Sequence, residues 1–138
     1  MRIMAVDYGD ARTGIAVSDE SAKLAGEAWV INGRDAQAVA RAVASEAISR
    51  GVSQIAVGYP KNMDGSVGPR AELCHRFAES VRGLCDIEVA LWDERMTTMS
   101  ANRILTETGR FGKKRKKTVD AVAASLILES YLSYINGR

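Results

Sequence analysis

Three carboxylates in this chain stand where a folding argument calls for apolar or neutral side chains. Asp7 closes the strand-like run Arg2-Ile3-Met4-Ala5-Val6-Asp7-Tyr8-Gly9. Glu94 closes a second run, Ile87-Glu88-Val89-Ala90-Leu91-Trp92-Asp93-Glu94, and Asp120 opens the most apolar helical stretch. An ionised carboxylate in a buried phase is costly unless it is paired or holds a cation. Acids at the ends of separate elements can converge, and oxygen-only ligands suit Mg²⁺ or Mn²⁺ better than zinc. Two such ions about 3.5–4 Å apart can activate a water and stabilise the leaving oxygen of a phosphodiester. The three acids therefore point to metal-assisted phosphodiester hydrolysis, with Asp7, Glu94 and Asp120 as catalytic and metal-binding residues.

Read singly, each acid has a structural alternative. Asp7 is in phase with Ile3 and Ala5 but could cap the turn at Gly9. Glu94 is in phase with Ala90 and Trp92 but could pair with Arg95 or a surface arginine. Asp120 precedes Ala123 and Ala124 by three and four residues and could be favoured simply by the positive end of its helix. The conjunction of all three is what carries the chemical reading.

Charge distribution supplies a second feature. The formal net charge is only +2, from 19 basic and 17 acidic residues, yet six of the eight residues from Arg110 to Lys117 are basic. Without them the balance is 13 basic against 17 acidic, a net of −4. A mildly acidic body carries one strongly basic segment, Arg110-Phe111-Gly112-Lys113-Lys114-Arg115-Lys116-Lys117. A charge run of this kind is either a solvated loop or a phosphate-backbone contact. Its place just ahead of Asp120 favours the second, so Arg110, Lys113, Lys114, Arg115, Lys116 and Lys117 are candidate nucleic-acid contacts.

Composition narrows the class. A chain of 138 residues, 46% hydrophobic and 26% charged, fits one globular domain over residues 1–138. The apolar stretch from Ala121 to Leu128 is bounded by Asp120 and Glu129 and is far too short to span a bilayer. The chain opens directly on a strand-like run broken by Asp7, which predicts no signal peptide and a cytoplasmic protein. Cys74 and Cys85 form no CxxC, so they are expected to be reduced thiols that help pack the core. The lone His75 is given no role.

The elements that must position the acids follow from spacing. Two strands, Arg2–Tyr8 and Thr13–Ser18, are joined by the turn Gly9-Asp10-Ala11-Arg12 and form an antiparallel hairpin. A third strand lies near Glu27 to Ile31, ended by Asn32-Gly33. Ala36, Val39, Ala40, Val43, Ala47 and Ile48 recur at helical spacing, and Gly51 stops that helix. A fourth strand, Gln54–Gly58, ends before Pro60. A second helix carries Cys74, Phe77, Ala78, Val81 and Leu84 on one face. After the strand ending at Glu94, a helix capped by Thr97 or Thr98 buries Ala101, Ile104 and Leu105 and ends near Gly109. The last helix runs from about Val119 to Tyr134. The order β-β-β-α-β-α-β-α-α predicts an α/β fold. Its five-stranded mixed sheet has three antiparallel N-terminal strands, two parallel ones and helices on both faces. An acid and glycines on a hairpin also suggest the nucleotide cradle of sugar kinases and actin-like ATPases, but those need two such domains around a cleft.

Four stretches carry a family resemblance that covers nearly the whole chain. They are Asp7-Tyr8-Gly9-Asp10-Ala11-Arg12-Thr13-Gly14-Ile15-Ala16-Val17-Ser18-Asp19, Gly58-Tyr59-Pro60-Lys61-Asn62-Met63-Asp64-Gly65-Ser66, Asp93-Glu94-Arg95-Met96-Thr97-Thr98 and Lys117-Thr118-Val119-Asp120-Ala121-Val122-Ala123-Ala124. In order and spacing they resemble the YqgF family, also called RuvX. The resemblance implies a ribonuclease H-like fold related to RuvC-type Holliday-junction resolvases. It also implies nuclease activity in maturing the 5′ end of pre-16S ribosomal RNA, or in an older description the resolution of Holliday junctions in branched DNA. The family's acidic ligands for Mg²⁺ or Mn²⁺, taken as two ions, fall on Asp7, Glu94 and Asp120. Arg12, Arg95 and the basic segment would meet nucleic acid, and the segment Arg95–Thr98 and the loop from Asn62 to Ser66 would border the site. The family often has a basic residue where this chain has Ala11. Related resolvases carry more than three acids, so Asp93 or Asp64 is a candidate fourth contact. The expected partners are pre-ribosomal RNA, branched DNA or the ribosomal particle, for a monomer or a homodimer. A different class stays open: an RNA-binding ribosome-assembly factor without catalysis.

Overall fold

The computed structural model describes residues 1–96 and 112–137, with side chains described for 1–96 and 121–137. The chain runs β1 (Arg2–Asp7), β2 (Arg12–Ser18), β3 (Ala25–Asn32), α1 (Ala36–Ser49), β4 (Val52–Tyr59), α2 (Pro69–Arg82), β5 (Glu88–Asp93), a 3-10 turn (Glu94–Met96) and α3 (Gly112–Ile135). The five strands form one sheet in the order β3-β2-β1-β4-β5. β1 pairs antiparallel with β2, and β2 with β3. β1 pairs parallel with β4, and β4 with β5. The mixed sheet expected from the element order is the one observed.

The two phases of β1 feed two cores, as strand geometry requires. Met4 and Val6 pack with Val39, Val43, Val57 and Phe77, so α1 and α2 cover one face. Ile3 and Ala5 pack with Ala16, Ala56, Ala124, Ile127 and Leu128, so α3 covers the other. Asp7 belongs to the second phase and leaves the sheet on the side of α3.

Local chemistry sets the element ends. The Asp35 carboxylate accepts from the Gln37 and Ala38 amides and caps α1. Pro69 occupies the first turn of α2, where its missing N–H costs nothing. Gly51, at φ +68°, takes the left-handed position that turns α1 into β4.

Four details depart from the sequence reading. Ile48 and Leu84, expected on buried helix faces, are 59% and 41% exposed. Each lies at the far end of its stripe, Ile48 in the last turn of α1 and Leu84 beyond the end of α2. β5 stops at Asp93, and Glu94 opens the 3-10 turn. The last helix starts at Gly112 rather than near Val119, so Lys113 to Lys117 sit on its first turns instead of in a loop. Lysine and arginine are good helix formers, which permits that extension. The helix expected between Thr97 and Gly109 lies outside the described residues. Cys74 is buried and Cys85 half-buried, both as free thiols.

Candidate active site at the carboxyl ends of three parallel strands

β1, β4 and β5 run parallel and end on the same edge of the sheet. The crevice outside the carboxyl ends of parallel strands is where open α/β sheets hold their ligands. Asp7 is the last residue of β1, and Glu94 follows the last residue of β5. Between them runs β4, which at this level carries Gly58. A β carbon on Gly58 would lie 2.8 Å from Glu94 Cδ, 2.9 Å from Glu94 Oε2 and 2.8 Å from Ile127 Cδ1. The Glu94 carboxyl thus rests on the bare backbone of the strand that separates it from Asp7. A glycine here is a cradle, since any side chain would fill the space the acid occupies.

The two acids feel each other. Burial is the main cause pushing the Glu94 carboxyl up to about 7, and the negative charge of Asp7 pushes the same way, as does that of Asp93. Arg70 opposes the shift. Two half-buried carboxylates that repel one another form a donor set a hard divalent cation would relieve, so the residues present fit the cation expected from the sequence. Among the described side chains no group of three or more such ligands converges. The third acid, Asp120, has its side chain outside that set. Its backbone lies on α3, four positions before Ala124 and seven before Ile127, both buried against the sheet.

A partner named in the structural alternative for each of two acids is engaged elsewhere. The Gly9 amide donates to Thr13 Oγ1 at 3.3 Å, not to Asp7. Arg95, the expected ion-pair partner of Glu94, folds back on Asp93 instead, with Nε at 2.9 Å and Nη2 at 2.6 Å from Oδ2. That contact holds the Asp93 carboxyl below its ordinary range. Asp64, the other candidate fourth acid, accepts from the Ser66 amide and hydroxyl, and those bonds lower its pKa in turn. Both acids are engaged in their own turns.

The loop from Asn62 to Ser66 does border this edge. The position of a β carbon on Gly65 is 3.5 Å from Arg95 Nη1, and Gly65 adopts φ +88°. The loop is closed by its own bonds, Asn62 amide to Ser66 carbonyl at 2.9 Å and Gly65 amide to Asn62 carbonyl at 2.8 Å. Arg12 opens β2 across the hairpin. A β carbon on Gly9 would fall 2.0 Å from the Arg12 carbonyl oxygen, so only glycine permits the turn that follows Asp7. Lys113 to Lys117 lie on the first turns of α3 with side chains outside the described set, and Arg110 lies outside the described residues altogether.

Two residues of the site were missed by sequence reasoning. Gly58 read as the end of an apolar run and the first residue of a motif stretch, with no role at the acids. Arg70, beside Pro69 at the start of α2, donates from Nη1 to Asp10 Oδ1 at 2.9 Å and from Nη2 to the Tyr8 carbonyl. Neither has a local signal, because each acts on residues far away in the chain.

Comparison with known proteins agrees with this geometry. The family described as RuvX, Holliday junction resolvase, matches residues 1–134. A protein of Halothermothrix orenii named "Putative pre-16S rRNA nuclease" is 43% identical over 136 residues, covering 99% of this chain and 97% of its own. One of the same name from Bacillus cytotoxicus is 43% identical over 134 residues, covering 96% and 98%. Among solved structures, Thermus thermophilus RuvC in complex with a Holliday junction substrate superposes with a TM-score of 0.59 at 14% identity, covering 99% of this chain and 96% of that one. That likeness shows the fold to be that of the RuvC-like resolvases, a ribonuclease H-like sheet. With its motifs, its sheet order and its full-length match in accord, the chain belongs to the RuvX family.

Proposed function

We propose that this protein is a divalent-metal-dependent endonuclease, a single nuclease domain over residues 1–138, that hydrolyses phosphodiester bonds in maturing the 5′ end of pre-16S ribosomal RNA. The observation that carries the reading is the charge-coupled pair Asp7 and Glu94 on either side of Gly58 at the carboxyl edge of the sheet. The names of the full-length relatives support the RNA substrate.

Asp7, Glu94 and Asp120 are the residues that would hold a pair of Mg²⁺ or Mn²⁺ ions. Such ions, when bound, supply Lewis acidity at a phosphoryl oxygen and lower the pKa of water. The chain's own contribution is the acid set and its surroundings. Glu94, whose carboxyl burial pushes up to about 7, would have to be ionised to hold such an ion. Arg12, Arg110 and Lys113 to Lys117 neutralise backbone phosphates, the last group from the positive end of α3. Arg95 joins them by exchanging Asp93 for a phosphate. The protein works in the cytoplasm on the free RNA or on the ribosomal particle, as a monomer or a homodimer.

The test is cleavage of labelled pre-16S RNA with Mn²⁺ or Mg²⁺, against EDTA and Asp7→Asn, with a four-way DNA junction in parallel. Metal-dependent cuts near the mature 5′ end, absent in the variant, are expected. Cuts confined to the junction would make the protein a Holliday junction resolvase, the activity in the family's description. RNA binding with no cleavage of either substrate would make it an assembly factor.

A further inference from the structure

We infer that Arg70 is a positioning residue for the acid pair: it locks the β1–β2 turn onto the N-terminal end of α2 and so sets the direction in which Asp7 leaves β1. The inference rests on the reading of Asp7 and Glu94 as metal-binding residues. Arg70 lies 62 positions along the chain from Tyr8 and reaches its carbonyl oxygen through Nη2. Nη1 donates to Asp10 Oδ1 at 2.9 Å. The same guanidinium lies 5.5 Å from the centroid of the Tyr8 ring. That ring stacks on Phe77 of α2 with centroids 4.4 Å apart and planes 16° apart. Tyr8, the residue next to Asp7, is therefore gripped by one helix through both its carbonyl and its ring.

Two further ties on this turn come from within the sheet. The Gly9 amide donates to Thr13 Oγ1 at 3.3 Å, and the Gly33 amide to the Ala11 carbonyl at 2.9 Å. They shape the hairpin but do not fasten it to the helix layer. The rigid fork of a guanidinium serves two acceptors at once, which the point charge of a lysine does not. Partners that orient a metal ligand without touching the metal are the usual way such ligands are held.

Position and charge predict opposite results. At a pH well above 7, where Glu94 is ionised with or without it, Arg70 acting through its field alone would repel a cation, and its removal would tighten Mn²⁺ binding. Acting through position, its removal weakens binding. The experiment is Mn²⁺ titration of the full chain by calorimetry at that pH, with thermal melting and amide exchange of the Gly9–Ala11 turn. Arg70→Gln is expected to raise the Mn²⁺ Kd by ~10-fold or more, with faster exchange in the turn. Arg70→Lys, which keeps the charge and loses the fork, is expected to raise it as well. A Kd for Arg70→Lys equal to or below that of the wild type overturns the inference, and that variant decides alone if Arg70→Gln does not fold. Asp7→Asn, run in parallel, separates the two levels. Loss of Mn²⁺ binding there, beside unchanged binding in the Arg70 variants, keeps the metal site and removes Arg70 from it. Unchanged Mn²⁺ binding in Asp7→Asn removes the metal site and this inference with it.

Discussion

The Glu94 carboxyl lies against the α carbon of Gly58, so close that a β carbon there would come within 2.8 Å of Glu94 Cδ. Ile127 Cδ1 closes the same space at 2.8 Å. Strand β4 thus reserves a side-chain-sized void for an acid that belongs to its neighbour. Gly58→Ala is an overpacking change in a filled space and is expected to cost roughly 1–3 kcal/mol of stability. It is also expected to slow cleavage by ~10²-fold, because the displaced carboxyl no longer meets Asp7 in register. Urea unfolding and single-turnover cleavage check both; wild-type values in the two assays would place the carboxyl elsewhere.

Glu94 also sets a pH dependence. Its pKa is raised from 4.5 to about 7 by burial and by Asp7. A carboxyl whose folded value exceeds its unfolded value disfavours folding once ionised. Stability of the metal-free protein is therefore expected to be highest below pH 4.5, as far as this group is concerned, and to fall as pH rises through about 7. Glu94→Gln should remove that fall, and Mn²⁺ should offset it in the wild type. Urea midpoints across this range, in EDTA and in Mn²⁺, test the sign; a midpoint that rises over the same window in EDTA would contradict it.

Asp7→Asn is expected to abolish cleavage while leaving RNA affinity within about a factor of three, since one carboxylate serves charge balance at the metal more than docking. The same change removes a negative neighbour and should lower the Glu94 pKa. Filter binding and cleavage on one RNA, with a carboxyl titration followed by NMR, measure all three. Unchanged cleavage at saturating Mg²⁺ would take Asp7 out of the mechanism.

Charge reversal on the first turns of α3 addresses docking. Each of Lys114→Glu and Lys117→Glu is expected to weaken RNA binding uniformly across sequences and to reduce the salt slope by about 1 for each phosphate that is no longer neutralised. Binding measured over a salt series decides it. An unaltered slope would make the basic turns a solvated helix end.

Much of the architecture was legible because its causes are local. Alternation along Arg2–Tyr8 separates two faces, the Gly9–Arg12 turn forces a hairpin, and helical spacing from Val39 to Ala47 needs only its own residues. The phase of Asp7 with Ile3 and Ala5, and its place at a strand end, are legible in the same way. The misreadings at Ile48 and Leu84 come where a periodic stripe outlasts the surface it packs on.

The sequence by itself determined which residues are acids at strand ends, which faces they share, and that one short segment holds the surplus positive charge. Only the tertiary structure decided that β4 lies between β1 and β5, and hence that Gly58 is the seat of Glu94. It alone decided that Arg95 turns to Asp93 and that Arg70 reaches back to Tyr8 and Asp10. The physical reason is range. Turn chemistry and periodicity act over a dozen residues or fewer, whereas Arg70 joins positions 60 and 62 apart that meet only when the parallel strands are in register.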